Sequence, residues 1–207
     1  MPLCATSMTL GRLAPMTMVE PPPLDPLNGD ERFLGVEATV TDFWRFALPD
    51  VTTNNVRGWL AEYLVWRAIG VDRPVRVEWD AFDVLWGEIR IEVKSSAYLQ
   101  RWAQRGPSAL TFSGLRGKLL DAETNRYADE ATYNADVYVL AANLSADRDR
   151  FDQLDIGQWR FAVLPRLALE ETGQSTLSWP RAQTLATAVV SFDGIADAIR
   201  AAYAVVG

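Results

Sequence analysis

An α/β sandwich built around a mixed β-sheet is the fold this sequence predicts, and three observations carry it. Apolar residues recur at helical spacing between residues 55 and 69 and again near the C-terminus. Short apolar runs, alternating with charge or continuous, lie between them. Their order is helix, strands, short helix, strands, helix, which buries two kinds of element against one another.

The elements follow in turn. Residues 1–30 hold all four methionines and the run Pro21-Pro22-Pro23-Leu24-Asp25-Pro26, and are expected to form a mobile or extended tail. Residues 31–207 are expected to form a single domain. Glu31 to Ala47 reads as a helix, with a turn at Pro49-Asp50. Asn55 to Ile69 reads as a stronger one, capped by Asn54 or Asn55 and stopped by Gly70. Val75 to Ser95 is strand-like, Ala97 to Gln104 reads as a short helix, and Ala109 to Phe112 as a strand. Asp121 to Asn134 reads as a loop, and Asp136 to Ala141 and Trp159 to Leu164 as buried strands. Phe192 to Val206 reads as a closing helix with Ile195, Ile199 and Tyr203 on one stripe.

Composition excludes several chemistries. The chain has 207 residues and no histidine, so Ser-His-Asp and Cys-His triads and histidine metal sites are absent. Cys4 is the single cysteine, so neither an internal disulfide nor a cysteine zinc site forms. No apolar run reaches a membrane span, and the start lacks the features of a secretion signal, so the cytosol is the expected compartment. Any enzyme here works with carboxylates, Lys, Arg, Tyr, Ser or Thr, and carboxylates suit Mg²⁺. The net charge of −7 disfavours nucleic acid in bulk, yet residues 57–126 hold 11 basic against 9 acidic side chains.

The chemistry concentrates in Asp83-Val84-Leu85-Trp86-Gly87-Glu88-Ile89-Arg90-Ile91-Glu92-Val93-Lys94. Gly87-Glu88 suits a two-residue hairpin turn. Counting outward pairs Trp86 with Ile89, Leu85 with Arg90, Val84 with Ile91, Asp83 with Glu92 and Ala81 with Lys94. Alternation puts Phe82, Val84, Trp86, Ile89, Ile91 and Val93 on a core face, and Asp83, Arg90, Glu92 and Lys94 on the other. Opposed carboxylates repel, and a divalent cation turns that repulsion into coordination. Glu62 has Gly58, Val65, Trp66 and Ile69 as helical neighbours, so it is expected to face the interior or a cleft, where a carboxylate needs a partner. Glu62, Asp83 and Glu92 offset by Lys94 leave −2, the charge that one Mg²⁺ balances.

Asp83, then Glu92-Val93-Lys94 ending the next apolar strand, with Glu62 on a preceding helix, resembles the PD-(D/E)XK nuclease superfamily, the restriction-endonuclease-like fold. The phrases Arg57-Gly58-Trp59-Leu60-Ala61-Glu62-Tyr63-Leu64 and Ile91-Glu92-Val93-Lys94-Ser95-Ser96-Ala97-Tyr98-Leu99-Gln100 are similar to small prokaryotic members of that group. Phe82 stands where the motif name has proline. The likeness spans roughly residues 54–145.

The resemblance implies a restriction-endonuclease-like three-layer sandwich, a central mixed sheet flanked by helices. It also implies metal-dependent phosphodiester hydrolysis by a DNA endonuclease in restriction, defence or repair. Asp83, Glu92 and the Val93 carbonyl would hold Mg²⁺, with Mn²⁺ as a substitute, and Glu62 would assist the metal or its water. Lys94 would orient or deprotonate the attacking water. Gln100 matches a glutamine that many members carry after the lysine. Arg101, Arg105, Arg116 and Lys118 follow the motif and are candidate phosphate contacts, and Tyr98 and Trp102 are candidate base-stacking residues. A homodimer or a separate specificity partner is a further expectation. A non-catalytic nucleic-acid-binding or assembly module that keeps the same fold is the alternative.

Overall fold

The computed structural model describes residues 25–70, 81–121, 124 and 126–206. Five strands form the central sheet: β1 (Val84–Trp86), β2 (Ile89–Ala97), β6 (Val137–Asn143), β7 (Trp159–Pro165) and β9 (Ala188–Val190), adjacent in that order. Only the β2–β6 pair is parallel; the other three are antiparallel, so the sheet is mixed. Two ribbons lie outside it, β3 (Thr111–Ser113) with β8 (Thr176–Ser178) and β4 (Leu120–Asp121) with β5 (Arg126–Tyr127). The helices are α1 (Val40–Ala47), α2 (Asn54–Ile69), α3 (Arg166–Glu170), α4 (Trp179–Leu185) and α5 (Ile195–Tyr203).

The central strands β6 and β7 read as continuous apolar runs because both of their faces are covered. On one face α2 and α5 pack Ala61, Leu64, Val65, Ile195 and Ile199 against Ile91, Val93, Val139 and Phe161. In α2 the buried residues Ala61, Leu64, Val65 and Ile69 fall at the three- and four-residue spacing of one helical stripe. Each large side chain so buried contributes about 1.5–3 kcal/mol. The opposite face carries Tyr138, Leu140, Ala162 and Leu164 under Phe112, Leu169, Leu177 and Trp179. The molecule is therefore mixed α/β, with helices on both sides of the sheet.

The hairpin register follows the count from the turn: Trp86 pairs Ile89, Leu85 pairs Arg90 and Val84 pairs Ile91. Gly87 sits at φ 61°, which the turn requires and glycine adopts without strain. The ladder ends at Val84–Ile91, and the expected pairings of Asp83 with Glu92 and of Ala81 with Lys94 do not form. Phe82 packs against the core of the opposite face, whereas Val84 belongs to the α2 face, because the chain bends over residues 81–83. Residues 71–80, where the expected strand begins, lie outside the described residues.

Other expectations are corrected. The first helix starts only at Val40, where Thr39 and Asp42 form a reciprocal capping box. Thr53, not Asn54 or Asn55, occupies the cap of α2, and the Asn54 side chain instead accepts a bond from Arg57 at 2.6 Å. No helix forms over 97–104. Gln104 fixes a turn there instead, accepting from the Gln100 N–H at 2.7 Å and donating to the Ser108 hydroxyl at 2.8 Å. The segment 121–134 contains part of the β4–β5 ribbon, and the closing helix begins at Ile195 after a short 3₁₀ turn over Phe192–Gly194. Of the expected tail, residues 1–24 lie outside the described residues, while Asn28 and Gly29 donate their N–H groups to the Glu31 carboxylate. Among the described residues no helix is long and apolar enough to cross a membrane.

Candidate functional site

The site forms where β1 stops and β2 continues. Glu92 and Lys94 alternate with Ile91 and Val93, which belong to the α2 side, so both project to the opposite face. On that face their neighbours along β6 are Tyr138 and Leu140. The Asp83 N–H donates to the Ile91 carbonyl at 3.0 Å, and the Asp83 carboxylate accepts the Val93 N–H at 2.7 Å. Asp83 thereby lies against the strand that carries the other two charges. An extended residue sends its N–H and carbonyl to the same edge, so the Val93 carbonyl leaves on the Asp83 side.

Asp83, Glu92, Lys94 and Lys118 line one cavity of about 370 Å³, closed by Gly114, Asn134 and Tyr138 and rimmed by Leu119, Leu120 and Tyr127. Gly114, at φ 70°, is close enough that an added Cβ would meet Lys94 Cε at 3.8 Å. Glu62 lines a second cavity of about 270 Å³ with Trp59 and Ser113, and Lys94 is in the wall of both.

Electrostatics couples these groups. Burial raises the Glu92 pKa, and the charge on Asp83 raises it further. Lys94, hydrogen-bonded to Glu92, opposes the rise and Glu62 adds to it; the outcome is a carboxyl pushed up to about 7. Burial alone would lower the Lys94 pKa, but Glu92, Asp83 and Glu62 outweigh it and the ammonium is held above its ordinary value. Lys94 is therefore a cation at neutral pH. Burial pushes the Tyr138 phenol up to about 12, so it remains neutral.

Asp83, Glu92, Lys94 and Lys118 thus share one cavity, and Glu62 stands across Lys94 in the next. Among the described residues no group of three or more His, Cys, Asp or Glu is arranged to hold a metal ion. Asp83, Glu92 and the Val93 carbonyl are the oxygen donors that could hold one; Mg²⁺ keeps several waters and takes one or two carboxylates.

The remaining sequence candidates lie elsewhere. Gln100 is buried: it accepts from Arg57 at 3.2 Å, donates to the Ala97 carbonyl at 2.8 Å, and lines neither cavity. Arg101 pairs with Asp50 at 2.9 Å. Arg105 is exposed and lines neither cavity. Arg116 lies over the Tyr133 ring at 5.6 Å. Tyr98 packs on the second core, while Trp102 is exposed. The rim residues Leu119, Leu120 and Tyr127 escaped the sequence reading; their one signal is apolar bulk beside a polar stretch. Comparison with known protein families, curated proteins and solved structures finds no match.

Proposed function

We propose that this chain is a metal-dependent nuclease of the PD-(D/E)XK kind with a restriction-endonuclease-like fold, hydrolysing phosphodiester bonds in nucleic acid, with DNA the first substrate to test. The observation that carries the reading is the cavity shared by Asp83, Glu92 and Lys94, in which burial and the charge on Asp83 raise the Glu92 pKa. Two carboxylates kept together in a half-buried cavity favour a cation.

Asp83, Glu92 and the Val93 carbonyl would hold Mg²⁺, which when bound supplies an activated water and neutralises phosphate charge. The protein's own residues do the rest. The Val93 N–H fixes the Asp83 carboxylate against β2. Lys94, buried enough for its charge to act in a lowered dielectric, orients the attacking water and stabilises negative charge developing on the phosphate. Glu92 chiefly holds that ammonium protonated, and Asp83 and Glu62 add to the effect. Lys118 offers a second cation in the same cavity for a neighbouring phosphate.

The test is incubation of the purified chain with circular and linear DNA and with RNA, in Mg²⁺, in Mn²⁺ and in excess chelator. Strand breaks that need the divalent ion support the reading; a chelator-insensitive activity or none contradicts it. The alternative, a binding module that retains the fold, is favoured by nucleic-acid binding without cleavage in either metal.

A further inference from the structure

Lys94 separates two concavities, each with an aromatic side chain in its wall. In the first, Tyr127 is 59 % exposed and stands with Leu119 and Leu120, exposed by 43 and 48 %, over the cavity that holds the charges. An aromatic placed for packing is covered; this one and its two apolar neighbours are presented to solvent at the lip of a charged cavity. In the second, the wall includes Trp59, 37 % exposed, near Asn55 and Ser113. The first, about 370 Å³, lies at the small end of the range for ligand sites, and the second, about 270 Å³, just below it.

A phosphodiester at Lys94 has a nucleoside on each side. In a duplex both bases are paired and stacked inward, so neither is available to a concavity flanking the backbone. In an unpaired strand the bases splay outward and stack on aromatic faces. We propose that this site takes unpaired nucleic acid, one base against Tyr127 and the adjacent base against Trp59, with the phosphate between them at Lys94. This deepens the nuclease reading and rests on it for the position of the phosphate. Lys118, in the Tyr127 cavity, meets the next phosphate along.

The experiment uses the full chain and fluorescent oligonucleotides of one sequence, single-stranded and duplex, each carrying an adenine analogue whose emission falls on stacking. Binding is read by anisotropy in chelator and in Ca²⁺, and cleavage separately in Mg²⁺. Wild type is expected to bind the single strand more tightly than the duplex and to quench the analogue. Tyr127→Ala is expected to weaken single-strand binding about tenfold or more and to abolish part of the quenching, while Tyr127→Phe retains both. Trp59→Ala is expected to weaken single-strand binding and to abolish the remaining quenching, while Trp59→Phe, which keeps an aromatic face, retains both; Trp59→Ala indistinguishable from wild type would overturn the placing of the second base. Equal affinity for single strand and duplex, no binding of either, or Tyr127→Ala indistinguishable from wild type would overturn the proposal. Lys94-dependent cleavage of duplex alone would overturn it while leaving the nuclease reading standing. Quenched single-strand binding without cleavage would sustain the two-cavity strand site and remove the hydrolytic reading.

Discussion

The Asp83 carboxylate accepts the Val93 N–H at 2.7 Å, which ties a residue just outside the hairpin ladder to the strand carrying Glu92 and Lys94. That bond replaces the ladder pairing that a straight β1 would have made at this point. It gives a backbone donor a charged acceptor, an interaction of about 1.5–3 kcal/mol. Asp83→Ala should therefore loosen the end of the hairpin as well as remove a charge. Amide exchange at Val93 should accelerate in Asp83→Ala, and unchanged protection there would show that this bond does not hold the strand.

Glu92 gives a pH-dependent signature. Its native pKa lies near 7, above the ordinary value of 4.5, so between those values the native protein retains a proton that the unfolded chain has lost. The contribution of this group to stability is thus undiminished below about pH 4.5 and falls as pH rises toward 7. A cation binding at Asp83 and Glu92 expels that proton. Titration calorimetry with Mg²⁺ at pH 6, in buffers of different ionisation enthalpy, should report proton release that fades by pH 8. Binding with no proton release at pH 6 would place the cation away from Glu92.

Gln100 separates a structural role from a catalytic one. Its carboxamide joins the buried Arg57 guanidinium to the Ala97 carbonyl, linking the start of α2 to the end of β2. Gln100→Ala removes an acceptor from a buried cation and should cost about 1–3 kcal/mol in denaturant unfolding. Activity per folded molecule should stay within a few-fold of wild type. A large activity loss at unchanged stability would assign Gln100 to the reaction itself.

Asp136 anchors the far end of the site strand. It takes Arg90 Nε and Nη2 at 3.0 and 2.6 Å, with Arg166 at 3.7 Å, and these bonds hold its carboxyl below the ordinary range. The stabilisation is present above the ordinary pKa of 3.8 and is lost as pH falls through the lowered native value. Asp136→Asn should lower stability at pH 7 by about 1.5–3 kcal/mol and flatten the acid limb of the unfolding curve. An acid limb identical to that of wild type would locate the acid sensitivity in other carboxylates.

What the sequence disclosed, and what it hid, has a physical pattern. The hairpin register was readable because Gly87 fixes the turn and a one-residue slip would turn Ile89, Ile91 and Val93 outward. The helix α2 was readable because four buried positions fall on one stripe. The bend at Asp83 was not, since it depends on a side-chain bond to Val93 ten residues away. Nor was the turn that replaces the expected helix at 97–104, which depends on Gln104 bonding to Ser108 and accepting from Arg148 at 2.9 Å. β8 and β9 have three residues each, too few for alternation to register, and their pairing with Thr111–Ser113 and Phe161–Val163 is remote in the chain. Within the site, Asp83, Glu92 and Lys94 were apparent from spacing, whereas the division of Glu62 and Asp83 between two cavities requires the tertiary structure.

The most direct measurement compares DNA cleavage in Mg²⁺ by wild type, Lys94→Ala and Asp83→Asn, purified identically and matched for folded content by circular dichroism. The account predicts cleavage by wild type and losses of at least about a hundredfold in both variants. Equal cleavage by all three would assign the activity to a contaminant, and with it the shared cavity of Asp83, Glu92 and Lys94 would lose its catalytic meaning.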